Sequence, residues 1–195
     1  MKRLLISVSL AAAAILPSAA QAQAIPGAIV AVVDLEKVAS ECTACKTAAA
    51  SLRSQAQAFE SRREALATPL QTEGRAIQAA ADALKGKEPD AALQARARAF
   101  QAKQQAAEQE LTAQQQQVQR NNQYIQQQIA EKLGPIYTQV MQRRGANIMV
   151  DVNATLARGS SLDVSNDVLA ALNTALPTIQ TTAPAPARQN QPQGR

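Results

Sequence analysis

The chain has 195 residues and a net charge of +5, and 43 residues are alanine, so the 46% of hydrophobic residues overstates the core-forming material. It contains no His and no Trp, which excludes a Ser-His-Asp or Cys-His nucleophile, a histidine general base and a zinc site of imidazole ligands. Abundant Ala, Gln, Arg and Glu favour long helices over a compact enzyme core, so we predict a protein that is not an enzyme and uses no cofactor or metal.

Residues 1–24 have the pattern of a cleavable export signal. Lys2 and Arg3 give a positive start, residues 4–16 are apolar, and small residues lead to an A-x-A cleavage site ending at Ala24. The apolar stretch is short for a transmembrane helix, although an uncleaved anchor is the alternative. We therefore predict an exported protein that works outside the cytoplasm, and without ATP because no P-loop pattern is present.

Two short β-branched segments flank a long region of helical composition. Residues 28–34 and residues 146–152 are predicted as strands, and a third short strand is predicted near residues 155–157. Asp163 or Ser165 can cap a last helix. We predict a β body from residues 25–45 and 145–176, a helical hairpin arm at 46–144 with its tip near 86–90, and a disordered tail at 177–195.

The helical region contains a mirrored apolar pattern, with spacings 7-7-4-7-7 before the breakers at residues 86–90 and again after them. When the first residue of the pattern is paired with the last, the second with the last but one, and so on, the two residue numbers of each pair sum to 177. In this register alone the four-residue steps of the two halves lie opposite each other. The pattern predicts an antiparallel hairpin of arms about 40 residues long, or roughly 60 Å, with Asp90 capping the returning helix. The members are Leu52, Phe59, Leu66, Leu70, Ile77 and Leu84, then Leu93, Phe100, Ala107, Leu111, Val118 and Ile125.

The predicted arm is positively charged, with 14 basic and 9 acidic residues, for a net charge of +5. Such a bias attracts acidic partners, although a solvated helix surface explains most individual charges. The candidate steering residues are Arg62, Arg63, Arg96 and Arg98. Glutamine runs at 114–117 and 126–128 offer polar contacts, or are simply solvated helix surface.

Three segments of this arrangement resemble the Skp/OmpH family of periplasmic chaperones. They are residues 29–34, residues 147–154 (Asn-Ile-Met-Val-Asp-Val-Asn-Ala) and residues 162–169 (Leu-Asp-Val-Ser-Asn-Asp-Val-Leu). The resemblance extends over about residues 28–173. Within this range the hairpin resembles the family in its architecture rather than in its sequence. It implies an α+β fold in which strands of three chains form a small β body, and each chain inserts a helical hairpin between its strands.

The resemblance further implies an ATP-independent holdase that keeps unfolded outer-membrane β-barrel proteins from aggregating in the periplasm. Its partners would be those clients and two further copies of the chain, with no nucleic acid, and weak contact with lipid or lipopolysaccharide stays open. A body of about 50 residues is thin for an independent core, which also favours oligomers. The candidate residues for the body and its trimer contacts are Ile29, Val30, Val32, Ile148, Val150 and Val152. Their alternative role is the core of a monomer.

Cys42 and Cys45 form a CxxC motif that is not part of the family pattern. In an exported protein a disulfide is the first interpretation, and free thiols or a redox or metal role are the alternatives. The CxxC motif makes a thiol-disulfide protein one alternative function. The other alternative is a periplasmic coiled-coil adaptor or structural protein, which would use the hairpin.

Overall fold

The computed structural model describes residues 26–185, so the predicted signal lies outside the described residues, as do residues 186–195. The predicted α+β class is confirmed, because two short strands flank two long helices that run out and back. In chain order the elements are β1 (Val30–Val33), α1 (Leu35–Glu41), α2 (Thr43–Ala83), α3 (Ala91–Arg144), β2 (Ile148–Asp151) and α4 (Ser165–Ala175), with 3-10 turns at Val152–Ala154 and Ser160–Leu162.

The strands β1 and β2 form a two-stranded parallel sheet in which Val30 lies opposite Ile148. Parallel neighbours require a long crossover, and here the crossover is the whole α2–α3 hairpin. Asn147 fixes the start of the pairing, because its side chain accepts from Ile29 N–H at 2.7 Å and donates to the Gly27 carbonyl at 2.8 Å.

No third strand forms at residues 155–157, so that prediction is wrong. The Asp151 carboxylate accepts from Asn153 N–H at 2.8 Å and so caps the 3-10 turn that takes the chain away from β2. The chain returns to the sheet at Asp163, which makes a single parallel bridge to Val32. A local side-chain cap therefore takes the place of the strand hydrogen bonds that the composition predicted for this segment.

The core of the body lies between one face of the sheet and the surrounding helices. Ala31 and Val33 enter it from β1, Val38 from α1, Val140 from α3 and Leu172 from α4, each at most 3% exposed. The salt bridge from Arg144 to Asp167, at 2.5 Å, also ties the end of α3 to α4. The body therefore has a small hydrophobic core within one chain.

The arm begins later and ends earlier than residues 46–144. Ala44, Cys45 and Ala48 at the start of α2, with Ile136 and Val140 near the end of α3, are buried in or beside the core of the body. The α3 helix extends well beyond the last seam residue, so its final turns complete the body. The free part of the hairpin, about 36 residues of α2, reaches roughly 54 Å at about 1.5 Å per residue.

The hairpin turn has the residues that the sequence predicts for it. Lys85 and Gly86 have positive φ values of 48° and 86° directly after α2. Asp90 caps α3, because its carboxylate accepts from Leu93 N–H at 2.8 Å, as predicted. Within residues 26–185, no helix combines the length and the hydropathy that crossing a membrane requires.

Residues 177–185, which we call the strap, lie beside α2 and α3 rather than disordered, as an irregular segment with bends at Pro177 and Thr182. Their backbone and side chains hydrogen bond with residues of both helices, and Ile179 packs against the core of the body. Composition predicts disorder here because the segment is poor in large apolar residues. That prediction is wrong for the strap, because helix side chains pair with its backbone.

Candidate functional site

The junction between body and arm is held by a disulfide. Cys42 ends α1 and caps α2, and it is bonded to Cys45, with the Cα atoms 5.1 Å apart. Cys42 is fully buried and Cys45 is 7% exposed. The Asn173 side chain on α4 also accepts from Thr43 N–H at 2.9 Å. The disulfide therefore lies in the core, where it fixes the direction in which α2 leaves the body.

The body exposes its large apolar residues around the sheet. In the described part of the chain, every large hydrophobic residue classed as exposed lies in the body and none lies in the arm. They are Ile29 (56%), Leu35 (37%), Ile148 (43%), Leu156 (109%) and Leu162 (38%). Ile29 and Ile148 are adjacent, because Ile148 N–H donates to the Ile29 carbonyl at 3.2 Å, and Leu162 precedes the residue that bridges to Val32. Adjacent exposed apolar side chains are typical of an interaction surface.

The predicted trimer contacts divide into two groups. Ile29 and Ile148 are exposed, and Val30, Val150 and Val152 are half-buried, so all five can contact another chain. Val32 is 1% exposed within a single chain, because residues 160–163 lie against β1 beside it. Val32 therefore lies in the core of the single chain, which is the alternative role that the sequence allowed for it.

The arm seam keeps part of its apolar surface accessible. Ala107 and Ile125 are buried, at 6% and 3% exposure, whereas the other ten members of the mirrored pattern are half-buried. Two helices alone cannot enclose a seam, so grooves open between them. One groove is lined by Leu70, Gly74 and Phe100, and another by Phe59 and Val118.

Three of the four candidate steering arginines are paired with carboxylates of the same chain. Arg62 on α2 bonds Glu110 on α3 at 2.5 and 2.9 Å, and Arg96 on α3 bonds Glu73 on α2 at 2.8 and 3.2 Å. Arg63 pairs with Glu60 one turn earlier, and within residues 26–185 Arg98 makes no ion pair. The first two pairs join the helices, so Arg62 and Arg96 have a structural role.

The same pairs set the protonation of both carboxylates. The hydrogen bonds from Arg62 lower the pKa of Glu110, and those from Arg96 lower the pKa of Glu73. The pKa of each arginine is raised in turn by its hydrogen bond to the glutamate. Because solvent reaches all four side chains, each pair contributes little to stability.

Four amide side chains near the root of the arm hydrogen bond with the strap backbone. Gln117 makes the longest of these bonds, to the Ala183 carbonyl at 3.5 Å, and the other three form a ladder. Gln128 accepts from Gln180 N–H at 2.9 Å and donates to the Gln180 carbonyl at 2.9 Å. Asn121 accepts from Ala183 N–H at 2.8 Å and donates to Gln55 at 2.7 Å. Gln55 donates to the Thr181 carbonyl at 3.3 Å. We call Gln55, Asn121 and Gln128 the amide ladder.

The sequence contained only a weak signal for this ladder. The glutamine runs include Gln128, but composition does not separate a residue that binds a peptide from a solvated one. Asn121 is 3% exposed and lies beside the apolar seam, four residues before Ile125. A buried polar residue needs a hydrogen-bond partner, and only the fold places the strap there.

Within residues 26–185 no cluster of three or more His, Cys, Asp or Glu side chains could hold a metal ion. The candidate sites that residues 26–185 do form are surfaces, namely the exposed apolar rim of the body, the arm seam and the amide ladder.

Comparison with known proteins identifies the family. The model of the family described as outer membrane protein (OmpH-like) matches residues 29–172. The chain belongs to the OmpH-like family. A solved structure from Caulobacter crescentus, a candidate outer membrane chaperone (OmpH-like), has a TM-score of 0.66 at 23% identity and covers 83% of this chain and 92% of its own. No curated protein matches the sequence.

The strap and residues 186–195 follow the end of the family match at residue 172. The amide ladder itself lies within the matched range, on α2 and α3. At 23% identity the Caulobacter structure shows a common fold, so the role of each surface depends on the contacts in this chain.

Proposed function

We propose that the protein is an ATP-independent periplasmic holdase that binds unfolded outer-membrane proteins and limits their aggregation. The observation that carries the proposal is the hairpin, whose apolar seam is half-buried along a free length of roughly 54 Å. Such a surface offers many weak contacts to a long flexible chain. Membership of the OmpH-like family supports the same function.

The arrangement of apolar residues favours assembly through the body. The exposed rim of Ile29, Ile148 and Leu162 lies at the sheet, and one edge of β2 has no partner strand among residues 26–185. Exposed strand edges and apolar faces are normally covered by a partner. We propose a homotrimer in which the bodies meet at this rim and the three arms surround a client.

Three arms would bind a client more tightly than one. When one arm has engaged, the others meet the same client at a high effective concentration, so weak contacts combine. This multivalency requires no tight pocket in the arm. It also places the function in the assembled protein rather than in the single chain.

The direct test is suppression of aggregation of several unrelated unfolded porins diluted from urea, with the mature protein present in increasing amounts. We expect light scattering to fall with protein concentration for all of them. A coiled-coil adaptor that docks on one fixed partner would leave the scattering unchanged. Equal scattering with and without the protein would therefore contradict the holdase function.

A further inference from the structure

The strap is bound mainly through its backbone. Gln128 makes two hydrogen bonds to the backbone of Gln180, besides one to the Tyr124 carbonyl of its own helix, and Asn121 accepts from Ala183 N–H. Gln55 donates to the Thr181 carbonyl. Backbone groups are the same in every extended peptide, so this mode of binding depends little on sequence. The strap side chains add one hydrogen bond, between Ser51 and Thr181 at 3.1 Å, and the packing of Ile179 against the core of the body.

The spacing of the ladder suits an open, non-helical chain. Asn121 and Gln128 are seven residues apart on α3, which corresponds to roughly 10.5 Å along the helix. Gln180 and Ala183 are three residues apart, which would span at most roughly 10 Å in an extended chain, and the chain bends between them at Thr182. The two helix side chains therefore meet peptide groups three residues apart on an open but bent segment.

The strap also shows the two-residue period of a strand. Ile179, Thr181 and Ala183 are half-buried against the hairpin, whereas Thr178, Gln180 and Thr182 are exposed. The groove therefore accepts small or branched side chains on alternate positions and leaves the others in solvent. Strands of outer-membrane barrels have the same alternation, with one apolar and one polar face.

We infer that the amide ladder is a binding groove for extended polypeptide, filled in the resting chain by the strap and entered by unfolded clients that displace it. The inference rests on the proposed holdase function and names one place where clients bind. Its ligand is an unfolded segment with alternating side chains, recognised through its peptide groups. The strap occupies the groove as a tethered competitor.

The tether determines how strongly the strap competes. A segment attached near its site acts at an effective concentration in the millimolar range, well above that of a free peptide. If the groove is open in about one chain in ten, the apparent affinity for a free ligand is about tenfold below the intrinsic affinity. Opening or locking the strap should therefore change peptide affinity by a measurable factor.

The first experiment locks the strap in the full mature chain. Ser51→Cys with Thr181→Cys places two thiols where the hydroxyl oxygens are 3.1 Å apart, which suits a disulfide. The probe is a fluorescent peptide with the sequence of residues 177–185, and its affinity is measured before and after reduction. Wild-type protein given the same reductant controls for Cys42 and Cys45. We expect the locked form to bind the peptide at least tenfold more weakly.

The second experiment loosens the strap without changing the groove. Ala183→Pro removes the N–H that donates to Asn121, and Ala185→Pro is the matched control because Ala185 makes no hydrogen bond in the described chain. We expect Ala183→Pro to tighten peptide binding several-fold and the control to leave it unchanged. A peptide with proline at the positions of Gln180 and Ala183 should not bind.

Equal peptide affinity in the locked, reduced and Ala183→Pro forms would overturn the inference. It would also be overturned if locking abolished peptide binding but did not change the suppression of porin aggregation. Failure of the holdase function looks different, because then no form, locked or open, would suppress aggregation. The two proposals can therefore fail separately.

Discussion

Among single residues, Asp163 connects the most parts of the body. Its carboxylate accepts from Arg158 at 2.7 Å and from Ser165 N–H at 2.9 Å, at the start of α4. Its backbone bridges to Val32 in β1. The pKa of the Asp163 carboxyl is held well below its usual range. The hydrogen bond from Arg158 contributes most to this shift, and those from Ser165 contribute next.

This depressed pKa predicts acid sensitivity of the body. Because the carboxylate is favoured in the folded state, its stabilisation is complete above the unfolded pKa near 4 and is lost as pH falls through the lower folded value. The side chain is about one-third exposed, which reduces the effect. We expect Asp163→Asn to lower the free energy of unfolding by about 1–2 kcal/mol at pH 7.

The measurement is urea unfolding at pH 7 and pH 3. At pH 3 the difference between Asp163→Asn and wild type should shrink, because the carboxyl of the unfolded wild-type chain is then largely protonated while that of the folded chain is still ionised. Asp82→Asn, at the far end of the arm, serves as a control without a body contact. A difference that stays constant across this pH range would contradict the assigned cause.

The disulfide allows a second test at the residue scale. It closes a very short loop, so the chain-entropy relation predicts a stabilisation of about 2 kcal/mol. Its near-complete burial keeps it from partner thiols, and thiol exchange requires access. We expect Cys42→Ala with Cys45→Ala to lower stability by about that amount and to leave porin aggregation assays unchanged at 25 °C. Loss of suppression by a folded variant would favour the thiol-disulfide alternative.

At the scale of elements, the register of the hairpin can be tested by crosslinking. Phe59 and Val118 line the same groove, as the mirrored pattern predicts. Cysteines at these positions, in a background lacking Cys42 and Cys45, should crosslink readily within one chain. Cysteines at 59 and 111 should not, because a full heptad, roughly 10 Å along the axis, separates them in this register. Equal yields would show that the register is not fixed.

The hairpin was predictable because heptad repeats and breakers are local signals. The register agrees with the pattern at the root, where Gln55 meets Asn121. Towards the tip it shifts, since the Phe100 ring lies against Gly74, three residues before its expected partner Ile77. A glycine leaves room that a large ring can fill, and spacing rules based on apolar residues alone do not include that effect.

Features that depend on distant partners were not predictable in the same way. The strap has no local signal, because its hydrogen bonds come from helix side chains more than 50 residues away in the chain. Val32 has the composition of an interface residue, yet a neighbouring segment of its own chain covers it. Likewise, the last turns of α3 look like an arm in composition and form part of the core.

At the scale of the whole molecule, assembly should depend on the exposed rim of the body. Ile148 is 43% exposed in the single chain, so Ile148→Asp should leave the chain folded. At a trimer contact the new carboxylate would be buried without a partner, so we expect at least a tenfold weaker association. Light scattering over a range of concentrations measures the mass.

Two further variants give that experiment its controls. Ala170→Asp places the same charge on the exposed side of α4, away from the rim, and should not change assembly. Val32→Asp should unfold the body, because Val32 is in the interior of the single chain. A monomeric wild-type protein at micromolar concentration would contradict the proposed trimer.

Capture of clients should respond to salt, because the arm region carries a net charge of +5 in each chain. Long-range attraction acts on the association rate and weakens as the Debye length falls from about 10 Å at 0.1 M salt to about 3 Å at 1 M. Contacts along the seam are apolar and depend little on salt. We therefore expect high salt to slow association of an acidic unfolded porin strongly and to change its dissociation little.

The variants for this test must avoid the paired arginines, because reversal at Arg62 or Arg96 would also break the contacts between α2 and α3. Lys85, Lys87 and Arg98 are exposed near the tip and form no ion pair within the described chain. Changing all three to Glu should mimic high salt in stopped-flow capture, whereas exchanging Lys and Arg at these positions should have no effect. An association rate of the wild-type protein that is independent of salt would exclude electrostatic steering, and the apolar seam would then have to account for capture as well as retention.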